Sequence, residues 1–152
     1  LKPAIKAGAA FCGLGARDTL RMEAALPLYG HELHATSSPI ESGLGAFIRK
    51  TGFYLGREAV EKREQNPDVR GLFGLWMEEK AVPRQGFPVS TQTGEPLGEV
   101  TSGGFSPTCD GFMAMALLKR SKAKIGDKVL VDTGRKKALA RIRVMPFYKR
   151  VL

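Results

Sequence analysis

Lys128-Val129-Leu130-Val131-Asp132, then Thr133-Gly134-Arg135, then Ala138-Leu139-Ala140-Arg141-Ile142-Arg143-Val144, reads as two strands and the turn between them. Apolar and polar residues alternate on either side, which is the period of a strand with one buried face. The polar break carries a glycine, the residue a tight hairpin connection favours. The same reading extends backwards along the chain. Gly86 to Ser90 and Leu97 to Thr101 flank Thr93-Gly94-Glu95 and predict a second hairpin. Phe112 to Leu118 and Val69 to Met77 are apolar runs of strand length. At least five short strands with no helical pattern among them predict a small antiparallel barrel or sandwich.

Upstream the period changes. Leu14 to Leu26 carries Leu14, Leu20, Met22, Ala25 and Leu26 among Arg17, Asp18, Arg21 and Glu23, a helix with one buried face, ended by Pro27 and Gly30. Ser38-Pro39-Ile40-Glu41 predicts a short helix, with Ser38 as N-cap, Pro39 at the first helical position and Glu41 closing a capping box. Gly56 to Gln65 predicts a charged helix closed by Asn66-Pro67. That dipeptide is the expected boundary, giving units 1–66 and 67–152. The expected class is α+β: a mainly helical piece followed by a small antiparallel β-barrel. Trp76 and the phenylalanines read as core.

Composition narrows the classes. The chain has 152 residues, 43% hydrophobic and 26% charged, which excludes collagen, coiled coil and wholesale disorder. No apolar run approaches the ~20 residues of a membrane-spanning helix, and no signal-peptide h-region is visible. Two cysteines, Cys12 and Cys109, make no CxxC pair and read as idle thiols. His31 and His34 lack the further ligands zinc needs, so no metal is expected. The net charge of +9 is uneven. The twelve basic residues from Lys119 to Arg150 face only Asp127 and Asp132 in the same stretch. Such a stretch is either a solvated basic face or a surface for an acidic partner.

Several segments then carry a resemblance. Gly13-Leu14-Gly15-Ala16-Arg17-Asp18-Thr19-Leu20-Arg21-Met22-Glu23-Ala24, followed by Leu28-Tyr29-Gly30, resembles a signature of the glycine cleavage system T-protein (aminomethyltransferase) family. Thr36-Ser37-Ser38-Pro39-Ile40-Glu41 resembles its T-x-P-[IV]-E loop, and Phe53-Tyr54-Leu55-Gly56-Arg57-Glu58-Ala59 its F-x-G-[KR]-E-A helix start. Pro83-Arg84-Gln85-Gly86, Gly98-Glu99-Val100-Thr101-Ser102-Gly103, Ser106-Pro107-Thr108 and Met145-Pro146-Phe147-Tyr148 resemble its later segments, in order. The family's chains are considerably longer. The resemblance therefore implies a C-terminal portion: the last helical part of a folate-binding domain, then the C-terminal barrel. Leu1, where an initiating Met would stand, fits that expectation.

The resemblance implies transfer of a methylene group from an aminomethyl-lipoyl arm on a carrier protein to tetrahydrofolate, with release of ammonia. Tetrahydrofolate is the implied cofactor, and the lipoyl carrier protein (H-protein) the implied partner. Read on its own, Arg17 pairs with Asp18 or Glu23; the resemblance reverses that, since Arg17 stands at the family's A-R-D position and is implied at the folate site. Asp18 and Glu23 read as structural, orienting Arg17 and Arg21 or capping the helix. Arg84, in a turn before a strand, and Tyr148, after Met145-Pro146-Phe147, are further folate-binding candidates. Their bland alternatives are a surface arginine and a tyrosine on a barrel rim.

The family's catalytic aspartate and its Y-T-G-E segment have no counterpart here; Gly94-Glu95 belongs to a hairpin. No catalytic residue is therefore expected in this chain, and the chain alone is expected to be inactive. The implied location is the cytoplasm of a bacterium or the mitochondrion of a eukaryote, with no membrane partner. An uncovered apolar face on the helical piece would favour a dimer. One competing reading is another folate-dependent demethylase, or the folate domain of an oxidoreductase, of the same superfamily. A related family in iron–sulfur cluster assembly carries a cysteine where Thr51-Gly52-Phe53-Tyr54-Leu55-Gly56-Arg57-Glu58 has none. A third reading is a non-catalytic basic barrel that binds nucleic acid; on the folate reading nucleic acid is not a partner, and the basic stretch faces the carrier protein or a polyglutamylated folate.

Overall fold

The computed structural model describes residues 1–49 and 51–150. Three short α-helices come first: α1 (Lys2–Lys6), α2 (Leu14–Glu23) and α3 (Arg57–Glu64), with a 3-10 turn at Gly45–Phe47. Six strands follow: β1 (Arg70–Met77), β2 (Pro88–Thr91), β3 (Pro96–Ser106), β4 (Gly111–Lys119), β5 (Lys128–Asp132) and β6 (Lys137–Arg143). They form a closed barrel in the order β1-β4-β3-β2-β5-β6, and each neighbouring pair is antiparallel. Closure leaves no open sheet edge.

The barrel interior is filled by one side of each strand. Leu75, Met77, Val89, Leu97, Val100, Leu118, Val129, Val131 and Ile142 meet there. Ala114, Ala116, Ala138 and Ala140 are also fully enclosed. Small residues let strands approach. At Gly98 an added Cβ would lie 1.9 Å from the Leu117 carbonyl oxygen, so only glycine fits between β3 and β4 at that point.

Strand β3 departs from regular pairing. Val100 pairs with Ala116 and Ser102 with Met115, so Thr101 is an extra residue opposite β4. In a regular strand residues 100 and 102 would share a face. The insertion sends Val100 into the barrel and Ser102 outward. Beyond it, Ser102 and Gly104 pair with Met115 and Met113, which form a second apolar cluster with Met22 of α2. The helical piece docks on this outer surface.

Three expectations need correction. The face of α2 buried against the barrel is carried by Met22 and Glu23, while Leu14, Leu20 and Leu26 are 81%, 65% and 57% exposed. The capping box at Ser38 forms, with Ser38 N–H donating to Glu41 Oε2 (3.0 Å) and Glu41 N–H to Ser38 Oγ (3.4 Å). No helix grows from it: the chain stays in turns and passes through Gly43 at φ +76°, a left-handed conformation that ends helical winding. Of the aromatic residues read as core, Phe73, Phe87 and Phe112 pack partly buried against the barrel interior, but Phe11, Phe47 and Phe53 are exposed.

Candidate functional site

Helix α2 and the loop after it enclose a groove of about 900 Å³, lined among others by Cys12, Leu14, Arg17, Leu20, Leu26, Leu28 and His31. Leu14, Arg17 and Leu20 follow at intervals of three and so share one side of the helix. That side faces the groove. The arrangement joins apolar walls to a guanidinium, the composition of a pocket for a flat organic anion.

The groove is held by two buried glutamates that bolt the helical piece to β3. Glu32 is fully enclosed. Its Oε2 accepts from Arg21 Nη1 (3.0 Å) and Leu28 N–H (2.9 Å), and its Oε1 from Ser102 Oγ (2.5 Å). Arg21 also donates to Asp18 Oδ1 through Nε (2.7 Å) and to Ser102 Oγ through Nη2 (2.9 Å). Glu23, 3% exposed, accepts from Ser106 Oγ (2.6 Å) and Thr108 N–H (3.3 Å). His31 Nδ1 lies 2.9 Å from the Thr101 carbonyl oxygen and 3.2 Å from Ser102 Oγ. Gln85 Nε2 donates to the Gly30 carbonyl (2.9 Å). Buried charges persist only when paired and hydrogen-bonded in this way.

This network decides how Arg17 is read. Asp18 is engaged by Arg21, and Glu23 by β3 and the following turn. Among the described residues no carboxylate lies within ion-pair distance of Arg17, so its guanidinium is free to meet a ligand. Asp18 and Glu23 are structural, although Glu23 fastens the barrel rather than orienting an arginine.

The other two candidates lie elsewhere. Arg84 is exposed in the turn before β2, where its carbonyl accepts from Phe87 N–H. It opens onto a separate concavity of about 610 Å³ with Lys80, Phe87, Arg135 and Lys136. Tyr148 donates its backbone N–H to the Glu23 carbonyl (3.1 Å). That bond ties the C-terminal segment to the end of α2, but the tyrosine lines neither concavity. The structure therefore brings none of the three candidates together.

The basic stretch is partly neutralised from the body of the chain. Lys128 and Arg141 pair with Glu78, Lys136 with Glu79, and Lys122 with Glu95. The Arg143 guanidinium lies over the Trp76 ring, 4.8 Å from its centroid. Sequence reasoning missed Glu32, Gln85, Ser102 and Ser106. Each looks like a surface polar residue until its partner 55 to 83 positions away is known. No helix among the described residues is long and apolar enough to cross a membrane.

Comparison with known proteins agrees with this architecture. Residues 70–149 match the model of the glycine cleavage T-protein C-terminal barrel domain, and residues 2–52 that of the GCVT N-terminal domain. The chain is 44% identical over 140 residues to an aminomethyltransferase of Symbiobacterium thermophilum, covering 91% of this chain and 37% of the relative. It is 42% identical over 155 residues to an aminomethyltransferase of Bacillus subtilis, covering 98% and 42%. The crystal structure of glycine cleavage system aminomethyltransferase T from Bartonella henselae superposes with a TM-score of 0.84 at 30% identity, covering 91% of this chain and 40% of that one. The chain thus spans about two-fifths of the length of these relatives. With its barrel and its preceding helical piece both matched, the chain belongs to the glycine cleavage T-protein (aminomethyltransferase) family.

Proposed function

We propose that this chain forms part of a tetrahydrofolate-dependent aminomethyltransferase and contributes the Arg17 wall of its folate site. The observation that carries this reading is the groove itself: leucine walls and a guanidinium without an ion-pair partner among the described residues. Tetrahydrofolate has a flat heteroaromatic head and an anionic glutamate tail, and both suit that lining. The planar fork of arginine can bond a carboxylate or a pterin edge through two parallel hydrogen bonds. When bound, the folate supplies the atom that accepts the one-carbon unit, and the amino group leaves as ammonia. The residues of this chain would bind and orient; none is proposed to move a proton, and the chain by itself is expected to turn over no substrate.

On the same reading the units divide at 66/67, between α3 and β1. The lipoyl carrier protein would meet the unpaired part of the basic stretch, and the setting would be the cytoplasm in a bacterium or the mitochondrion in a eukaryote. The exposed leucines of α2 would also allow two copies to associate.

Titration of the chain with tetrahydrofolate, followed by fluorescence, tests the site. Arg17→Ala should weaken binding by about 1–3 kcal/mol, roughly 5- to 150-fold in Kd. Equal affinity in the variant and the parent would remove Arg17 from the site.

A further inference from the structure

We propose that the concavity between the β1–β2 connection and the β5–β6 turn is a binding site for a small multivalent oxyanion, separate from the α2 groove. Lys80, Arg84, Arg135 and Lys136 converge there over a floor that includes Ala81 and Phe87. Only Lys136 has an acidic partner, Glu79. Among the described residues no carboxylate lies within ion-pair distance of Lys80, Arg84 or Arg135. Elsewhere on this barrel Lys122, Lys128 and Arg141 each have a glutamate, and Lys119, Arg120, Lys124 and Lys137 have no ion-pair partner among the described residues; Lys80, Arg84 and Arg135 are set apart by lining one hollow. Three uncompensated cations gathered round one hollow repel each other, and a multivalent anion relieves that repulsion while accepting charge-assisted hydrogen bonds.

Both walls are preset. In the β5–β6 turn Thr133 Oγ1 donates to the Lys136 carbonyl (2.9 Å), and Gly134 N–H to Asp132 Oδ1 (2.9 Å). In the β1–β2 connection Phe87 N–H donates to the Arg84 carbonyl (3.2 Å), and Gly86 N–H to the Val100 carbonyl (2.8 Å). Ala81 and Phe87 pack against the barrel interior. Arg84, Arg135 and Lys136 are therefore carried on turns that are hydrogen-bonded before a ligand arrives, which lowers the ordering cost of binding. The apolar floor accommodates the carbon skeleton of such an anion. The shared chemistry is a cluster of phosphate or carboxylate oxygens, and this inference does not depend on the folate reading.

Calorimetric titration of the whole chain with pyrophosphate, and separately with citrate, at constant low ionic strength tests it. Saturable binding of one anion per chain is expected. It should weaken about tenfold in Arg84→Gln/Arg135→Gln and stay within about twofold in Lys149→Gln/Arg150→Gln, which removes the same charge elsewhere. Tighter pyrophosphate identifies a phosphate-bearing ligand, and tighter citrate a carboxylate-bearing one. Lys80→Gln, a single exposed change, gives the same readout should the double variant lose its fold. Absence of saturation, equal weakening in both double variants, or unchanged binding in Arg84→Gln/Arg135→Gln and Lys80→Gln overturns the proposal.

Discussion

Replacing Glu32 by alanine should detach the helical piece from the barrel without unfolding the barrel. The glutamate is fully buried and accepts from Arg21, Leu28 N–H and Ser102. Removing one member of a buried ion pair typically costs about 3–5 kcal/mol. Here the remaining arginine, whose side chain is 11% exposed, keeps Asp18, but Asp18 is 52% exposed and a weak substitute. A cost of about 2–4 kcal/mol follows, borne by the contact between α2 and β3 because the barrel has a core of its own. Native-state hydrogen exchange reads this locally. The N–H groups of Ala25, Leu26 and Leu33, bonded to the carbonyls of Met22, Arg21 and Leu28, should exchange roughly 30- to 1,000-fold faster. Those of Glu78 and Ile142, bonded to Leu139 and Asp127 within the barrel, should hold their rates. Glu32→Gln, which keeps the shape and loses the charge, should fall between. Unchanged rates around α2, or an equal loss in the barrel, would refute the reasoning.

Two further outcomes are expected. Burial pushes the Glu41 carboxyl up, but the Ser38 N–H, Arg63 and Arg70 outweigh burial and hold it below the usual carboxylate range. A depressed folded-state value adds stability above the unfolded-state value of about 4.3, and that stability is lost as pH falls through the folded value. Thermal unfolding should therefore show Glu41→Gln less stable than the parent at pH 7 and nearly level with it in strong acid; a constant gap would count against the pairing. The exposed Leu14, Leu20 and Leu26 should cause concentration-dependent association in sedimentation velocity, and Leu20→Glu should abolish it; identical profiles would place the contact elsewhere.

The barrel was legible because β5 and β6 alternate and β1 and β4 are apolar runs of strand length. Lys128 to Asp132 became β5, Ala138 to Val144 was expected where β6 spans Lys137–Arg143, and Phe112 to Leu118 lies within β4. Strand β3 was expected to stop at Thr101 and runs on to Ser106. Periodicity fails there for a physical reason: Thr101 is the extra residue, so the alternation before it does not continue in phase after it. The junction was illegible for a different reason. Buried Glu23 and Glu32 look like solvent-facing charges along the chain, and only the tertiary partners Ser102, Ser106 and Arg21 give them a place in the interior. Leu14 and Leu20 misled in the opposite sense, since their regular spacing marked a groove rather than a core. Arg17 was found through the family motif; its freedom from Asp18 and Glu23 required the structure.

The extra residue in β3 also makes that strand tolerant of a change in length at one point. Removing Thr101 would join Val100 directly to Ser102, and inside–outside alternation would then run through the joint with every later side chain still on its present face. What would go is the carbonyl that His31 Nδ1 holds at 2.9 Å and the hydroxyl that donates to the Met115 carbonyl. A length variant at this position would therefore keep the barrel's inside–outside order, and be felt at one carbonyl of β4 and in the loop that closes the groove.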